Sequence, residues 1–119
     1  MLDHITFAVG DYARSKSFYE KALAPMGWRV MMEFGPSCGF GDTHPFFWIT
    51  QGDTTKGQLH IAFAAKDRKT VDAFYQAALA AGAKDNGPPG IRAQYTPTYY
   101  GAFVLDPDGH NIEAVCHSG

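Results

Sequence analysis

The chain has 119 residues, 45% of them hydrophobic and 18% charged, which predicts one globular domain with a real core. The net charge of −2 and the isoelectric point of about 6.2 argue against binding to nucleic acid or to an anionic membrane, since both favour a basic surface. No export signal and no membrane-length apolar run is evident, so the two cysteines are expected to be reduced thiols in the cytoplasm.

The first predicted unit covers residues 1–52. Its alternating apolar residues predict a strand over 2–9, and the apolar stripe that follows Asp11, a suitable N-cap, predicts a helix over 12–24. A strand over 28–34 follows, then a Gly-rich loop over 35–42 that leaves room for a short strand, and a last strand over 46–50.

The second predicted unit, over 58–117, repeats the first. The pattern H-I-T-F-A at His4 returns as H-I-A-F-A at His60, and ten of the 24 positions from His4 to Gly27 are identical to those from His60 to Ala83. The remaining elements are a helix that begins after Asp67 and ends by residue 81, and a hairpin of strands 99–105 and 111–116. Two such units that share a core predict an α+β fold built from two βαβββ modules.

Three side chains with metal-binding chemistry fall on equivalent strand faces. His4 and His60 alternate with residues expected under the helices, and Glu113 has the same phase in the last strand. A structural role is the ordinary reading of one strand histidine, but a duplicated histidine beside small residues favours a ligand. Two imidazoles and a carboxylate that face a cavity predict a divalent-metal site with positions left for substrate.

Three motifs resemble those of the vicinal oxygen chelate superfamily, which includes glyoxalases, bleomycin-resistance proteins and extradiol dioxygenases. They are the opening D-H-I-T-F-A-V, the helix R-S-x-x-F-Y-x-x-x-L and the closing L-D-P-D-G-H-N-I-E-A-V. The resemblance implies that the sheets curl into a half-open barrel around a metal held by His4, His60 and Glu113. It also implies a homodimer and a small-molecule substrate; iron(II), manganese, nickel or zinc all suit the ligand set.

One position departs from the glyoxalase I pattern. Those enzymes have an acidic fourth ligand in the last strand of the first module, where this chain has Trp48. Indole cannot bind a metal or accept a proton, and proton transfer next to a carbonyl needs a base. The phase of Trp48 directs it to the cavity, where it is expected to stack on a substrate.

Further candidates surround the predicted site. Thr6 resembles a residue of the fosfomycin-resistance thiol transferases, Phe46 is a candidate for an aromatic cavity wall, and Arg92 for a carboxylate clamp. Tyr100 is the candidate for acid–base help beside Glu113. His110 and His117 are expected at the surface.

The sequence therefore predicts a small metal-dependent enzyme acting on an oxygen-chelating substrate, of dioxygenase, lyase or thiol-transferase type and not a glyoxalase I. The alternative is a metal-free protein of the bleomycin-resistance type, which binds a small molecule in its aromatic cavity without doing chemistry.

Overall fold

The computed structural model describes residues 1–57 and 59–118; Gln58, the predicted start of the second module, and Gly119 lie outside the described residues. The predicted α+β fold of two βαβββ modules is confirmed, and each module forms its own mixed sheet against its helix. No helix among the described residues is long and apolar enough to cross a membrane.

The elements of the first module are β1 Ile5–Val9, α1 Tyr12–Leu23, β2 Arg29–Phe34, β3 Ser37–Gly41 and β4 Pro45–Gln51. Its strands form a four-stranded sheet of order β1-β4-β3-β2, in which β1 and β4 are parallel and the other neighbours antiparallel. The predicted N-cap is confirmed, because the Asp11 carboxylate accepts a hydrogen bond from the backbone N–H of Arg14 at 3.1 Å.

The elements of the second module are β5 His60–Ala64, α2 Arg68–Ala80, β6 Lys84–Asp85, β7 Gly90–Ile91, β8 Tyr100–Leu105 and β9 Asn111–Cys116. This module repeats the arrangement of the first with strand order β5-β9-β8-β6, and β7 also pairs with β8. The two-residue strands β6 and β7 were not predicted, since segments so short carry no readable alternation. Strands β5 and β9 are parallel, and β8 and β9 form the predicted hairpin.

The Gly-rich segment 35–42 is more regular than predicted, because most of it forms the central strand β3. Cys38 and Phe40 point into the core and are fully buried. Gly39 lies on the other face, where the Trp48 ring leaves no space: a Cβ on Gly39 would come within 2.5 Å of that ring. The glycine is therefore required by a close approach and does not mark a loop.

Aromatic rings join the two modules in one core. Phe47, in β4, is fully buried and packs with ring centroids 4.9 Å from Tyr19 in α1 and 5.1 Å from Phe63 in β5. Helices α1 and α2 also contact each other. Both cysteines, Cys38 and Cys116, are free and buried.

The D-P-D-G-H turn between β8 and β9 holds the second module against the first. The buried Asp106 carboxylate accepts a 2.5 Å hydrogen bond from the hydroxyl of Tyr19 in α1, and its other oxygen accepts the backbone N–H groups of Asp108 and His110. Asp108 in turn accepts a hydrogen bond from the Thr54 hydroxyl at 3.1 Å. The closing motif therefore has a structural function apart from any ligand.

His110, predicted at the surface, is buried instead: only 3% of it is exposed. Its ring lies edge-on to Phe7 of the first module, with centroids 5.4 Å apart. The prediction was wrong because the turn docks on the neighbouring module, which local sequence does not reveal. His117 is exposed as predicted.

Removing the Tyr19 hydroxyl should destabilise the fold, and the repeat supplies a matched control. Tyr19→Phe leaves a buried Asp106 oxygen without its partner, so we expect a loss of about 1–3 kcal/mol in the free energy of unfolding. The equivalent Tyr75 donates to Asp85, which is exposed, so Tyr75→Phe should change stability little. Urea unfolding measures both; equal effects would contradict the role given to the Tyr19–Asp106 bond.

Candidate metal and substrate site

Glu113 is the most deeply buried acid of the second module. It lies in the middle of β9, in register with Ala62 of β5 and Phe103 of β8. Its side chain points to the sheet face away from α2, here called the open face, while only 1% of the residue is exposed. Because burying a carboxylate without polar partners costs free energy, the polar groups around Glu113 indicate its role.

Two side chains satisfy the carboxylate, one at each oxygen. His60 lies two residues before Ala62 on the same face of β5, and its Nε2 is 2.8 Å from Oε1 of Glu113. The hydroxyl of Tyr99 donates a hydrogen bond to Oε2. Burial and the neighbouring Glu113 raise the pKa of Tyr99, so the phenol remains a donor at neutral pH.

The His60 ring connects this buried pair to solvent, because 46% of its side chain is exposed. The Phe103 ring flanks it, with centroids 6.0 Å apart. Arg92 lies over the Phe103 ring, with its Cζ 5.3 Å from the ring centroid, and two of its guanidinium N–H groups donate to the carbonyls of Gly90 and Pro88 at 2.8 Å. Arg92, predicted as a carboxylate clamp, thus contacts carbonyls of its own loop.

Tyr100 is not brought to Glu113. Its hydroxyl donates to Asp72 of α2 at 2.6 Å, and Arg68 lies over its ring at 5.1 Å. Tyr100 therefore faces the helix, and the expectation that it assists Glu113 is corrected: the adjacent Tyr99 occupies that position. Strand alternation was the missed signal, since Tyr99, Gly101 and Phe103 share a phase.

The open face of the first sheet carries the other predicted residues. Thr6 of β1 pairs with Trp48 of β4, and the Trp48 ring stacks on Phe34 with an interplanar angle of 7°. Trp48 thus has the predicted strand phase, on the face opposite the buried Phe47 and Ile49. Phe46 packs edge-on against Trp28 at 4.8 Å, in a cleft of about 350 Å³ between the two modules.

His4 precedes β1 and lies at the edge of the same cleft. Its Nδ1 is 2.7 Å from Oδ1 of Asp3, and this hydrogen bond lowers the pKa of the Asp3 carboxyl. More than half of the His4 side chain is exposed. A carboxylate at Nδ1 fixes the ring and leaves Nε2 as the nitrogen that could bind a metal, an arrangement common among metal-binding histidines.

The second module supplies two side-chain atoms that are suitable ligands for a divalent metal. Nε2 of His60 and Oε1 of Glu113, at 2.8 Å, lie near the separation of about 3 Å that two ligands of one ion adopt. Within 1–57 and 59–118, however, no three His, Cys, Asp or Glu side chains of one chain gather closely enough to hold an ion. The site residues thus form two groups: His4, Thr6 and Trp48 in the first module, His60, Glu113 and Tyr99 in the second.

The comparisons with known proteins agree with this fold. The family model described as the Glyoxalase/Bleomycin resistance protein/Dioxygenase superfamily matches residues 1–114. Among curated proteins, none matches the sequence.

Solved structures match over nearly the whole chain. A glyoxalase/bleomycin resistance protein from Albidiferax ferrireducens T118 has a TM-score of 0.82 and 28% identity, covering 96% of this chain and 97% of that one. The fosfomycin resistance protein FosX from Listeria monocytogenes has a TM-score of 0.75 and 21% identity, covering 99% and 93%. An E126Q variant of that FosX, solved with Mn(II) and 1S,2S-dihydroxypropylphosphonic acid, has a TM-score of 0.73 and 23% identity, covering 97% and 88%.

Proposed function

Because the chain belongs to the glyoxalase/bleomycin resistance protein/dioxygenase superfamily, which includes metal-dependent enzymes, we propose that it is a divalent-metal-dependent enzyme acting on a small substrate with neighbouring oxygen atoms. The reaction would be of lyase, dioxygenase or thiol-transferase type. The observation that carries the proposal is Glu113, a carboxylate with 1% exposure whose Oε1 meets the partly exposed His60. Burying this carboxylate has a desolvation cost that packing alone does not offset, and a carboxylate beside an imidazole is a common ligand pair for a divalent ion.

The third ligand would be His4 of a second copy of the chain. One chain brings His60 and Glu113 together but keeps its own His4 with the first module, so a homodimer that places the first module of one protomer against the second module of its partner would complete two equivalent sites. Exposed apolar side chains support this pairing: Phe34 beside Trp48 is 61% exposed, and Tyr95 beside Tyr99 is 60% exposed. A dimer of this kind would remove them from water.

A bound divalent ion would polarise the oxygen atoms of the substrate and stabilise negative charge that develops on them. The chain's own residues would shape the remainder of the pocket. Trp48 offers its ring to a flat or apolar part of the substrate, and Thr6 offers a hydroxyl in register with Trp48. Because Trp48 supplies no base, we do not assign the proton transfer of a glyoxalase I to this site.

The second candidate is a metal-free binding protein of the bleomycin-resistance type. The observation that favours it is the stacked Trp48–Phe34 pair on an open sheet face, together with the two-ligand character of the site within one chain. In this reading the aromatic faces bind the ligand, and the Glu113–His60 pair only orders the second sheet.

Equilibrium dialysis against Mn(II) tests the proposal; manganese is the ion in the FosX structure and suits the ligand set. We expect saturable binding of about one ion per protomer, lost in His60→Ala. His44→Ala is the matched control, since it removes an exposed imidazole that is not assigned to the ion. If dialysis against Mn(II), Fe(II), Ni(II) and Zn(II) finds no saturable binding to a protein that light scattering shows to be dimeric, the metal-free candidate is favoured.

A further inference from the structure

We propose that Tyr99 is a positioning residue that makes Glu113 a one-oxygen ligand. Its hydroxyl holds Oε2, so that only Oε1, beside Nε2 of His60, is presented to the ion. The inference rests on the proposed metal site and adds to it a residue that does not itself touch the ion.

The two oxygens of Glu113 have separate partners on opposite sides. Oε1 is hydrogen-bonded to His60, whose side chain is 46% exposed, whereas Oε2 accepts from the hydroxyl of the partly buried Tyr99. A carboxylate can bind one ion through either or both oxygens. A hydrogen bond to a charged oxygen is stronger than a neutral one, so the phenol holds Oε2 away from the ion and fixes the rotation of the carboxylate.

Gly101 provides the space that this contact needs. It lies between Tyr99 and Phe103 in the chain and pairs with Val115, two residues beyond Glu113. A Cβ on Gly101 would lie 3.2 Å from Oε2 of Glu113 and 3.2 Å from Cε1 of Tyr99. The Tyr99 phenol can therefore reach the Glu113 carboxylate because residue 101 is a glycine and has no side chain between them.

The Tyr99 ring is held in place before any ion arrives. The Tyr95 and His117 rings pack against it, with centroids at 4.9 and 5.2 Å. The Tyr99 backbone is fixed as well, since its carbonyl accepts a 2.7 Å hydrogen bond from the backbone N–H of Arg92. A preorganised donor of this kind orients a ligand at little further entropic cost.

A purely structural role would give a different experimental result. If Tyr99 only satisfied a buried carboxylate, Tyr99→Phe would lower the free energy of unfolding of the metal-free protein without altering its ion affinity. If Tyr99 positions Glu113, ion affinity falls, since removal of an outer-sphere partner typically weakens binding about 10–100-fold. The number of water molecules on bound Mn(II), measured by water-proton relaxation, should also change, because a freed Oε2 can displace one.

The test compares Mn(II) dissociation constants for the wild type, Tyr99→Phe and Tyr100→Phe. Tyr100 is the matched control, because its hydroxyl faces Asp72 on the other side of the strand. We expect binding weakened about 10–100-fold in Tyr99→Phe alone. Gly101→Ala should weaken binding with the phenol still present, because its methyl group would crowd both partners.

The outcomes separate this inference from the function on which it rests. If the wild type binds Mn(II) and Tyr99→Phe binds it equally well with the same water count, the positioning role is wrong and the metal site stands. Equal weakening in Tyr100→Phe would also overturn it, as a general effect of losing a hydroxyl. If the wild type binds no divalent ion, the proposed function fails and the inference fails with it.

Discussion

Replacing Glu113 with glutamine is expected to weaken divalent-ion binding at least ~100-fold while leaving the fold as stable as before, or more stable. The amide removes the charge that an ion requires but keeps the shape and both hydrogen bonds, since its oxygen can accept from Tyr99 and its nitrogen can donate to His60. Burying a neutral amide costs less than burying a carboxylate, so stability should not fall. Dialysis and urea unfolding of the metal-free protein measure the two effects.

Asp106 is the matched control for this variant, because it is also a buried acid, with 5% exposure. Its carboxylate accepts from Tyr19 and from two backbone N–H groups of the turn, and all of these are structural partners. Asp106→Asn replaces one acceptor oxygen with a donor, so it should lose about 1–3 kcal/mol of stability and keep its ion affinity. A Glu113→Gln protein that unfolds like Asp106→Asn would instead assign Glu113 a structural role.

Much of the fold follows from local sequence. The repeated strand pattern at His4 and His60, with Asp11 and Asp67 as N-caps, set the type and order of the main elements. The sequence predicts mainly loop around Gly39, because glycine is usually a turn residue. Here it makes room for Trp48 across the sheet, a contact between residues far apart in the chain.

The candidate site was predictable where strand phase decides it. His60 and Glu113 meet because β5 and β9 are parallel neighbours in the register that their alternation allows. The prediction named Tyr100 where the structure has Tyr99, because Tyr99 directly precedes β8 and Tyr100 begins it, and there an uncertainty of one residue in the strand phase reverses the face. His110 was missed for a different reason, since its burial depends on docking of the turn onto the other module.

His4→Ala is expected to weaken ion binding as strongly as Glu113→Gln, at least ~100-fold. In the part of the chain that the structure describes, the His4 ring contacts the exposed Asp3 and does not gather with His60 and Glu113. A strong effect would therefore come from the His4 of a partner protomer. His44→Ala, which removes an exposed imidazole near the same cleft, should leave binding unchanged.

The most direct test is the ion stoichiometry of a heterodimer made from one His4→Ala protomer and one Glu113→Gln protomer, isolated by two different affinity tags. If each site combines His4 of one protomer with His60 and Glu113 of the other, one of the two sites contains only unmodified ligands. We therefore expect about one ion per heterodimer, half of the wild-type capacity, although neither variant binds by itself. A heterodimer that binds no ion, beside a wild type that does, would contradict the shared site.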